Sequence, residues 1–169
     1  RGIPMTILWF LGCIQTGSKH QDGPFCDWTV EPIDATEEIN CSNNRCRVPD
    51  GVFIMGSDLG AEDQCPIHQW ETNTYSIDQR EVTRSQYGIC VAQGACSETP
   101  FCPSAALEQI ESNLPITCVT WDQANAFCTW NGGRLPSEAE WEKAARGLNG
   151  IQWPWGDTPP NCAIANFRY

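Results

Sequence analysis

The sequence has little positive charge, few histidines and no long apolar run. Its 169 residues include 10 Lys and Arg against 21 Asp and Glu, for a formal net charge of −11. A nucleic-acid surface needs clustered basic side chains, so this charge argues against one and favours a solvated acidic surface. No apolar stretch is long enough to cross a bilayer as a helix. We therefore expect neither a nucleic-acid partner nor a transmembrane span.

The eleven cysteines do not have the spacing of a metal or redox motif. No two are three residues apart, as in C-x-x-C, and only His20 and His68 could add imidazole ligands. Zinc sites and thioredoxin-like motifs are therefore disfavoured. Cysteines spread along a whole chain are typical of disulfides formed in an oxidising compartment, so we expect an extracytoplasmic protein. Their spacing assigns no pairing, and the odd number leaves one cysteine over.

Residues 1–13 are similar to the end of a bacterial lipoprotein signal. A mostly apolar stretch from Ile3 to Leu11 leads into Gly12-Cys13, and the cysteine at that place in such a signal is acylated. This similarity predicts a lipid anchor at Cys13, a bacterial source, and ten cysteines left for up to five bridges. A plain secretory signal or a frayed terminus is the alternative.

The remaining chain divides at a change of composition near Arg47. Residues 14–47 are rich in Gly, Ser, Asp, Asn and Pro, and we interpret them as a cysteine-containing tether. Residues 48–169 are predicted to form one domain. In it, Val48 and the run from Val52 to Met55 are predicted strands, and the alternation from Trp70 to Ile77 predicts one further strand.

Three short helices are predicted to begin at S/T-x-x-E/Q capping boxes. The boxes are Thr83 with Gln86, Thr120 with Gln123, and Ser137 with Glu140. The side chains expected to be buried in the first two helices are Tyr87, Cys90, Val91, Trp121, Ala124, Phe127 and Cys128. Short capped helices separated by irregular, cysteine-rich chain indicate an α+β fold.

The third helix, within residues 132–147, has both ends marked. Glu138 and Glu140 lie near its positive end, and Gly147 is a natural C-cap. Trp141 begins an apolar stripe, which predicts that this helix is a packing hub. Arg134 is expected to form a partly buried ion pair beside this helix. The predicted structural residues are Arg134, Ser137, Glu138, Glu140 and Trp141.

Seven segments, in order, resemble the formylglycine-generating enzyme (FGE-sulfatase) domain family. The resemblance covers residues 48–169 and implies that family's variant of the C-type-lectin fold, with short strands and long irregular loops. The matching segments are Val52–Gly56, Ile77–Thr83, Pro115–Trp121, Ala126–Trp130, Gly132–Gly147, Pro154–Asp157 and Ala165–Phe167.

The resemblance also implies where the chemistry lies. In catalytic members a cysteine pair binds copper and uses dioxygen to oxidise a sulfatase cysteine to formylglycine. That pair lies downstream of the region matching Trp153–Tyr169, so none of the eleven cysteines inherits the catalytic role. We expect residues 1–169 to be an incomplete domain that is inactive alone, with copper needed only in an intact catalytic member.

Three functions stay open from the residues. The first is the N-terminal portion of a secreted or lipid-anchored enzyme acting on a protein or peptide. The second is a non-catalytic, lectin-like surface module that binds a peptide, glycan or protein. The third is a gene fragment with no activity of its own.

Two residues near the end match a structural calcium site of the family. By the resemblance, Asn166 supplies a side-chain oxygen and Phe167 its backbone carbonyl. Calcium takes about six to eight oxygen ligands, so the others are expected beyond Tyr169. As an alternative, Asn166 could be a loop residue bonded to its own backbone. His68, near Glu62 and Asp63, is interpreted as structural rather than as a general base or ligand.

Overall fold

The computed structural model describes residues 30–34, 36, 39–58, 64–99, 112–156, 158–161 and 163–165. The chain divides into two compact units. We call Arg1–Gln79 with Ser137–Tyr169 the sheet unit and Arg80–Pro136 the helix unit. Among the described helices, none is long and apolar enough to cross a bilayer.

The described residues form five strands and three helices, which confirms the predicted α+β class. Strands β1, β2 and β5 form one antiparallel sheet in the order β1-β2-β5, and β3 pairs with β4 in a second antiparallel sheet. The elements are β1 Asn40–Ser42, β2 Arg45–Val48, β3 Gly51–Met55, β4 His68–Thr72, β5 Tyr75–Asp78, α1 Arg84–Ala92, α2 Trp121–Trp130 and α3 Glu138–Arg146.

Strands β1 and β2 form a hairpin inside the stretch that was predicted to be a tether. Asn43 and Asn44 connect them with φ angles of 51° and 61°, as a tight hairpin turn requires. Directly opposite residues Cys41 and Cys46 are joined by a disulfide, and Cys46 is fully buried. Within the predicted tether, residues 40–47 therefore form part of the sheet unit, because this turn, the bridge and the pairing of β2 with β5 hold them there.

The predicted single strand from Trp70 to Ile77 is wrong. The structure has two strands there, β4 and β5, and they belong to different sheets. Thr74 lies in the break, where its hydroxyl donates to Asp50 Oδ1 at 2.9 Å and accepts from the Asp50 N–H at 3.1 Å. The turn at Asp50 thus binds the turn at Thr74, an interaction that hydrophobic alternation does not reveal.

The core of the sheet unit is small. Cys46, Val48 and Ala144 form a buried cluster with partly buried aliphatic and aromatic neighbours. Phe53 of β3 is also fully buried, and α3 packs against β3 and β4. Helix α3 therefore acts as the packing hub that its sequence predicts.

The helix unit has an aromatic core between α1 and α2. Phe127 stacks on Tyr87 with ring centroids 5.8 Å apart and lies 5.5 Å from the ring of Trp130. Cys90 and Cys96 are buried in the same cluster and form a disulfide. Both predicted capping boxes of this unit, at Thr83 and Thr120, are present.

The predicted burial of Trp121 is wrong, because its residue is 62% exposed. It is the first residue of α2, and at about 100° per residue it lies roughly 120° around the helix from Phe127. The buried face runs through Ala124 and Phe127, so Trp121 points away from it.

Candidate functional site

The caps of α3 place its side chains. The Glu140 N–H donates to Ser137 Oγ at 3.2 Å, and the Ser137 N–H donates to Glu140 Oε2 at 2.8 Å. Glu138 lies in the first turn, and Gly147 ends the helix with a φ of 70°. These contacts are the capping box and C-cap expected from the sequence. Residues close to the helix in sequence therefore determine where it begins and where its last turn ends.

Lys143, in that last turn, is fully buried. Its ammonium group donates to the carbonyls of Pro49 at 2.9 Å and Gly51 at 3.2 Å, and to Thr72 Oγ1 at 3.2 Å. An ammonium has three N–H donors, so these three acceptors match its full donor set. Lys143 thereby joins α3 to the turn before β3 and to the end of β4.

Arg146 and Glu142 form a second link between α3 and distant backbone. They form an ion pair at i,i+4, the spacing at which side chains of one helix meet. Arg146 also donates to the carbonyls of Gly56, Gly150 and Ile151. Glu142 in turn accepts the Gly56 N–H at 2.8 Å. Both side chains are mostly buried, so the pair is shielded from water.

Gly56 is the point where this pair meets the end of β3. Its φ is 94°, and an added Cβ would lie 2.7 Å from the Gln64 carbonyl and 2.8 Å from the Pro66 carbonyl. Any larger residue would collide with this backbone, so the segment requires glycine here.

We call Glu142, Lys143 and Arg146 the α3 cluster. Its described hydrogen bonds run to main-chain carbonyls, one backbone N–H and one threonine hydroxyl, or within the Glu142–Arg146 pair. Groups bound in this way hold the loops to which they are bonded in fixed positions. In the sequence, Lys143 is a positive charge near the C-terminal end of a helix, where the helix dipole favours a cation. No local signal marks it as buried, since its acceptors are 71 to 94 residues away.

Among the described residues, three titratable groups have shifted pKa values. The Thr74 hydroxyl and its own backbone N–H lower the pKa of Asp50, which is fully exposed. Burial raises the pKa of the Glu81 carboxyl and of the Tyr87 hydroxyl. The Tyr87 hydroxyl donates a hydrogen bond to the Ser97 carbonyl at 2.9 Å. No described hydrogen bond joins one of these groups to another, so they form no acid–base pair within the described chain.

The structure also locates the other residues singled out from the sequence. Arg134 donates to the Leu135 carbonyl at 3.0 Å. It is exposed, so its predicted partial burial is wrong, while its predicted ion pair stays a prediction. Trp141 is half-buried. His68 Nδ1 lies 2.7 Å from the Pro66 carbonyl, as fits a structural role. The predictions that fall outside the described residues concern Cys13, Glu62, Asp63, Asn166 and Phe167.

The described cysteines bear on the copper site that the resemblance implies. Six of them are disulfide-bonded, including Cys65 and Cys118 as well as the two bridges already given. Cys128 is a thiol. A site built on two thiols does not fit this set, so we derive no chemistry through copper here.

Within the described ranges, no group of three or more His, Cys, Asp or Glu residues could hold a metal ion. The potential calcium ligands Asn166 and Phe167 lie outside those ranges. The α3 cluster is therefore the best-defined polar site that the structure offers, and its role is positional.

Residues 33–168 match the model of a family described as the sulfatase-modifying factor enzyme 1-like domain, FGE-sulfatase. The match begins inside the predicted tether and includes the β1–β2 hairpin.

Three similar proteins illustrate the range of relatives. A formylglycine-generating enzyme of Streptomyces coelicolor is 28% identical over 161 residues, covering 69% of this chain and 51% of that protein. An inactive C-alpha-formylglycine-generating enzyme 2 of Mus musculus is 51% identical over 198 residues, covering 91% of this chain and 58% of that protein. A hercynine oxygenase of Mycolicibacterium thermoresistibile is 28% identical over 151 residues, covering 68% of this chain and 34% of that protein. The chain spans about half the length of the first two relatives.

Proposed function

Because the chain belongs to the FGE-sulfatase family, described as the sulfatase-modifying factor enzyme 1-like domain, we propose that it forms the N-terminal scaffold of a protein-modifying enzyme. The family's domain is C-type-lectin-like, and the α+β architecture of short elements and long loops agrees with that fold. In such a fold, distant loops carry function while a few elements hold them in place.

The observation that supports a scaffold role is the α3 cluster. Lys143 and Arg146 bind five main-chain carbonyls, from the turn before β3, the end of β3 and the chain after α3. Glu142 binds the Gly56 N–H from the same helix. These residues hold loops in fixed positions, as a reaction site built from loops requires.

The whole protein is proposed to oxidise a substrate cysteine to formylglycine, or to carry out a related oxygen-dependent modification. Formylglycine-generating enzymes and hercynine oxygenases are both among the relatives. The thiol pair for copper would come from residues other than those described. We therefore expect the 169-residue chain to be inactive alone.

Activity is tested with a sulfatase-motif peptide, copper and oxygen, with mass spectrometry reporting formylglycine. The chain alone should give no product, while the intact Streptomyces coelicolor relative serves as the positive control. Product formed by the chain alone would contradict the scaffold proposal.

A non-catalytic surface module is the second candidate. It is favoured by the mouse relative, which is 51% identical across 91% of this chain and whose name describes it as inactive. The longest available form of the protein separates the two candidates. Formylglycine made by that form supports the enzyme, whereas binding of a protein or peptide without product supports the module.

Calcium binding at Asn166 and Phe167 is also a proposal. Their oxygens would supply two of the about six to eight ligands that calcium takes. In the longest form of the protein, calcium should raise the melting temperature, and Asn166→Ala should remove that rise. An equal rise in the variant would contradict the site.

We place the protein outside the cytoplasm, a location with which the disulfides agree. The lipid anchor at Cys13, and with it the bacterial source, is tested by mass spectrometry of the N-terminal peptide after membrane extraction. An acylated Cys13 supports the anchor, whereas a secretory cleavage elsewhere contradicts it.

A further inference from the structure

Ile54 shows which way the backbone groups of the β3–β4 pair point. Its N–H donates to the Leu148 carbonyl at 2.8 Å. Its own carbonyl faces Gly150, where an added Cβ would lie 3.2 Å from that oxygen. Both groups of Ile54 therefore point away from β4, so Ile54 and its partner Gln69 form a non-hydrogen-bonded pair of the antiparallel ladder.

The same alternation determines the outer edge of β4. Val52 and Glu71 are opposite each other two residues along, so they also form a non-hydrogen-bonded pair. The N–H and C=O groups of Gln69 and Glu71 consequently point away from β3. Both residues are exposed, and their outward backbone groups have no hydrogen-bond partner in the described chain. An edge with unpaired backbone groups can accept a further strand.

Trp70 lies between these two residues and is 51% exposed. It is directly opposite Phe53, so its side chain is on the face of the sheet where Phe53 is buried. The His68 ring meets the Trp70 ring edge-on at 5.9 Å. A strand added along β4 would bring its own side chains beside the exposed part of this indole.

We propose that the outer edge of β4 binds an extended, basic segment of a partner protein as an added strand. The backbone groups of Gln69 and Glu71 would supply the hydrogen bonds of the new ladder. A Lys or Arg side chain of the segment would lie over the Trp70 ring on one face of the sheet. The exposed Glu71 carboxylate, on the opposite face, would attract the positive charge of the segment as a whole. This proposal does not rest on the proposed catalytic function.

Charge favours a basic partner over a second copy of this chain. Each copy has a net charge of −11, and pairing of two β4 edges would bring two Glu71 carboxylates near one another. Like charges across a ladder are destabilising, while a segment with two or three basic residues gains from the same field.

Binding is measured with a fluorescein-labelled hexapeptide of sequence TKVRVT, with TEVEVT as the acidic control, against the 169-residue chain. The basic peptide should bind, and the acidic one should bind at least about tenfold more weakly. Hydrogen exchange by NMR supplies the structural readout. The amides of Gln69 and Glu71 should exchange fast in the free chain and slow down with the basic peptide. The Ile54 amide should be protected in both states because Leu148 already binds it.

Variants separate the backbone contribution from the charge. Glu71→Gln keeps the outward N–H and should weaken binding about threefold, since an exposed charge pair contributes little. Glu71→Pro removes that N–H while leaving the β3 ladder intact, and should weaken binding about fivefold beyond the Gln variant. Trp70→Ala should weaken binding about tenfold. Glu98→Gln, an exposed carboxylate of the helix unit, is the matched control and should leave binding unchanged.

Each variant is first shown to be folded by its near-ultraviolet circular dichroism and its melting curve. Equal affinity for both peptides, or equal binding by Glu71→Pro and Glu71→Gln, would overturn the proposal. A dimer in sedimentation velocity that Glu71→Pro abolishes would also overturn it, because the edge would then belong to a second copy of the chain.

Discussion

The sheet unit and the helix unit stabilise irregular chain by different means. The sheet unit has a small apolar cluster and buries the charged α3 cluster against main-chain carbonyls. The helix unit has aromatic rings stacked between two capped helices, and a buried disulfide that joins Cys90 of α1 to Cys96 just after that helix. A unit with little apolar volume thus depends on directional hydrogen bonds, whereas one with large rings depends on packing.

Removing the central ring of the helix unit should have the largest effect. Phe127→Ala should lower the free energy of unfolding by about 4 kcal/mol, because it opens a cavity beside Tyr87 and Trp130. Urea unfolding with hydrogen exchange by mass spectrometry reports the loss in each unit. The control Trp121→Ala, at an exposed site, should change stability by less than about 0.5 kcal/mol. Equal effects of the two variants would refute the aromatic core.

The counterpart in the sheet unit is Lys143. Lys143→Met keeps most of the side-chain volume but leaves the Pro49 and Gly51 carbonyls and the Thr72 hydroxyl without this donor. We expect a loss of about 3 kcal/mol, with exchange rising first in β3 and β4. The exposed cation Arg134 is the matched control, and Arg134→Met should cost less than about 0.5 kcal/mol. A Lys143→Met chain as stable as the wild type would mean that the sheet unit does not depend on its buried cation.

Each unit also has a disulfide, and removing it should lower stability by less than the two substitutions above. Replacing Cys90 and Cys96 by Ala should lower stability by about 2 kcal/mol, as expected for a loop of this short length. The Cys41–Cys46 pair closes a loop of similar length, so the chain-entropy contribution is similar. Since Cys90 and Cys96 are both buried but Cys41 is exposed, thermal melts should show the greater loss for the first pair. A greater loss for the hairpin bridge would contradict this ranking.

The smallest expected effect is a gain in stability rather than a loss, and it concerns Glu81. Burial raises the pKa of the Glu81 carboxyl above its ordinary value of 4.5, so the folded helix unit favours the protonated form. The contribution of protonated Glu81 to the stability of the fold is complete below pH 4.5 and is lost as the pH rises through the folded-state pKa. Glu81→Gln should therefore raise the melting temperature at pH 7 and have little effect at pH 4. The gain should stay below about 0.5 kcal/mol, because water screens this partly exposed group. A variant less stable at pH 7 than the wild type would show that the carboxylate has a stabilising role.

The starts of all three helices could be predicted because each cap is satisfied within a few residues. Thr83, Thr120 and Ser137 each bind the backbone of the third residue after them, as their sequences indicate. The split of the predicted Trp70–Ile77 strand could not be found in this way. It depends on Thr74 binding Asp50, which lies 24 residues earlier.

The candidate site likewise has features that the local sequence predicts and features that it does not. The Glu142–Arg146 pair follows from helical spacing, and the family follows from segments that are recognisable one after another. Two other features do not follow from the sequence: the burial of Lys143, and the outer edge of β4, which no described strand covers. Both depend on which distant carbonyls and strands fold together. Local rules specify helix ends because the hydrogen-bonding partners are neighbours in the chain. Whether a cation is buried or a strand edge is exposed depends on long-range packing, because the residues that surround them come together only when the chain has folded.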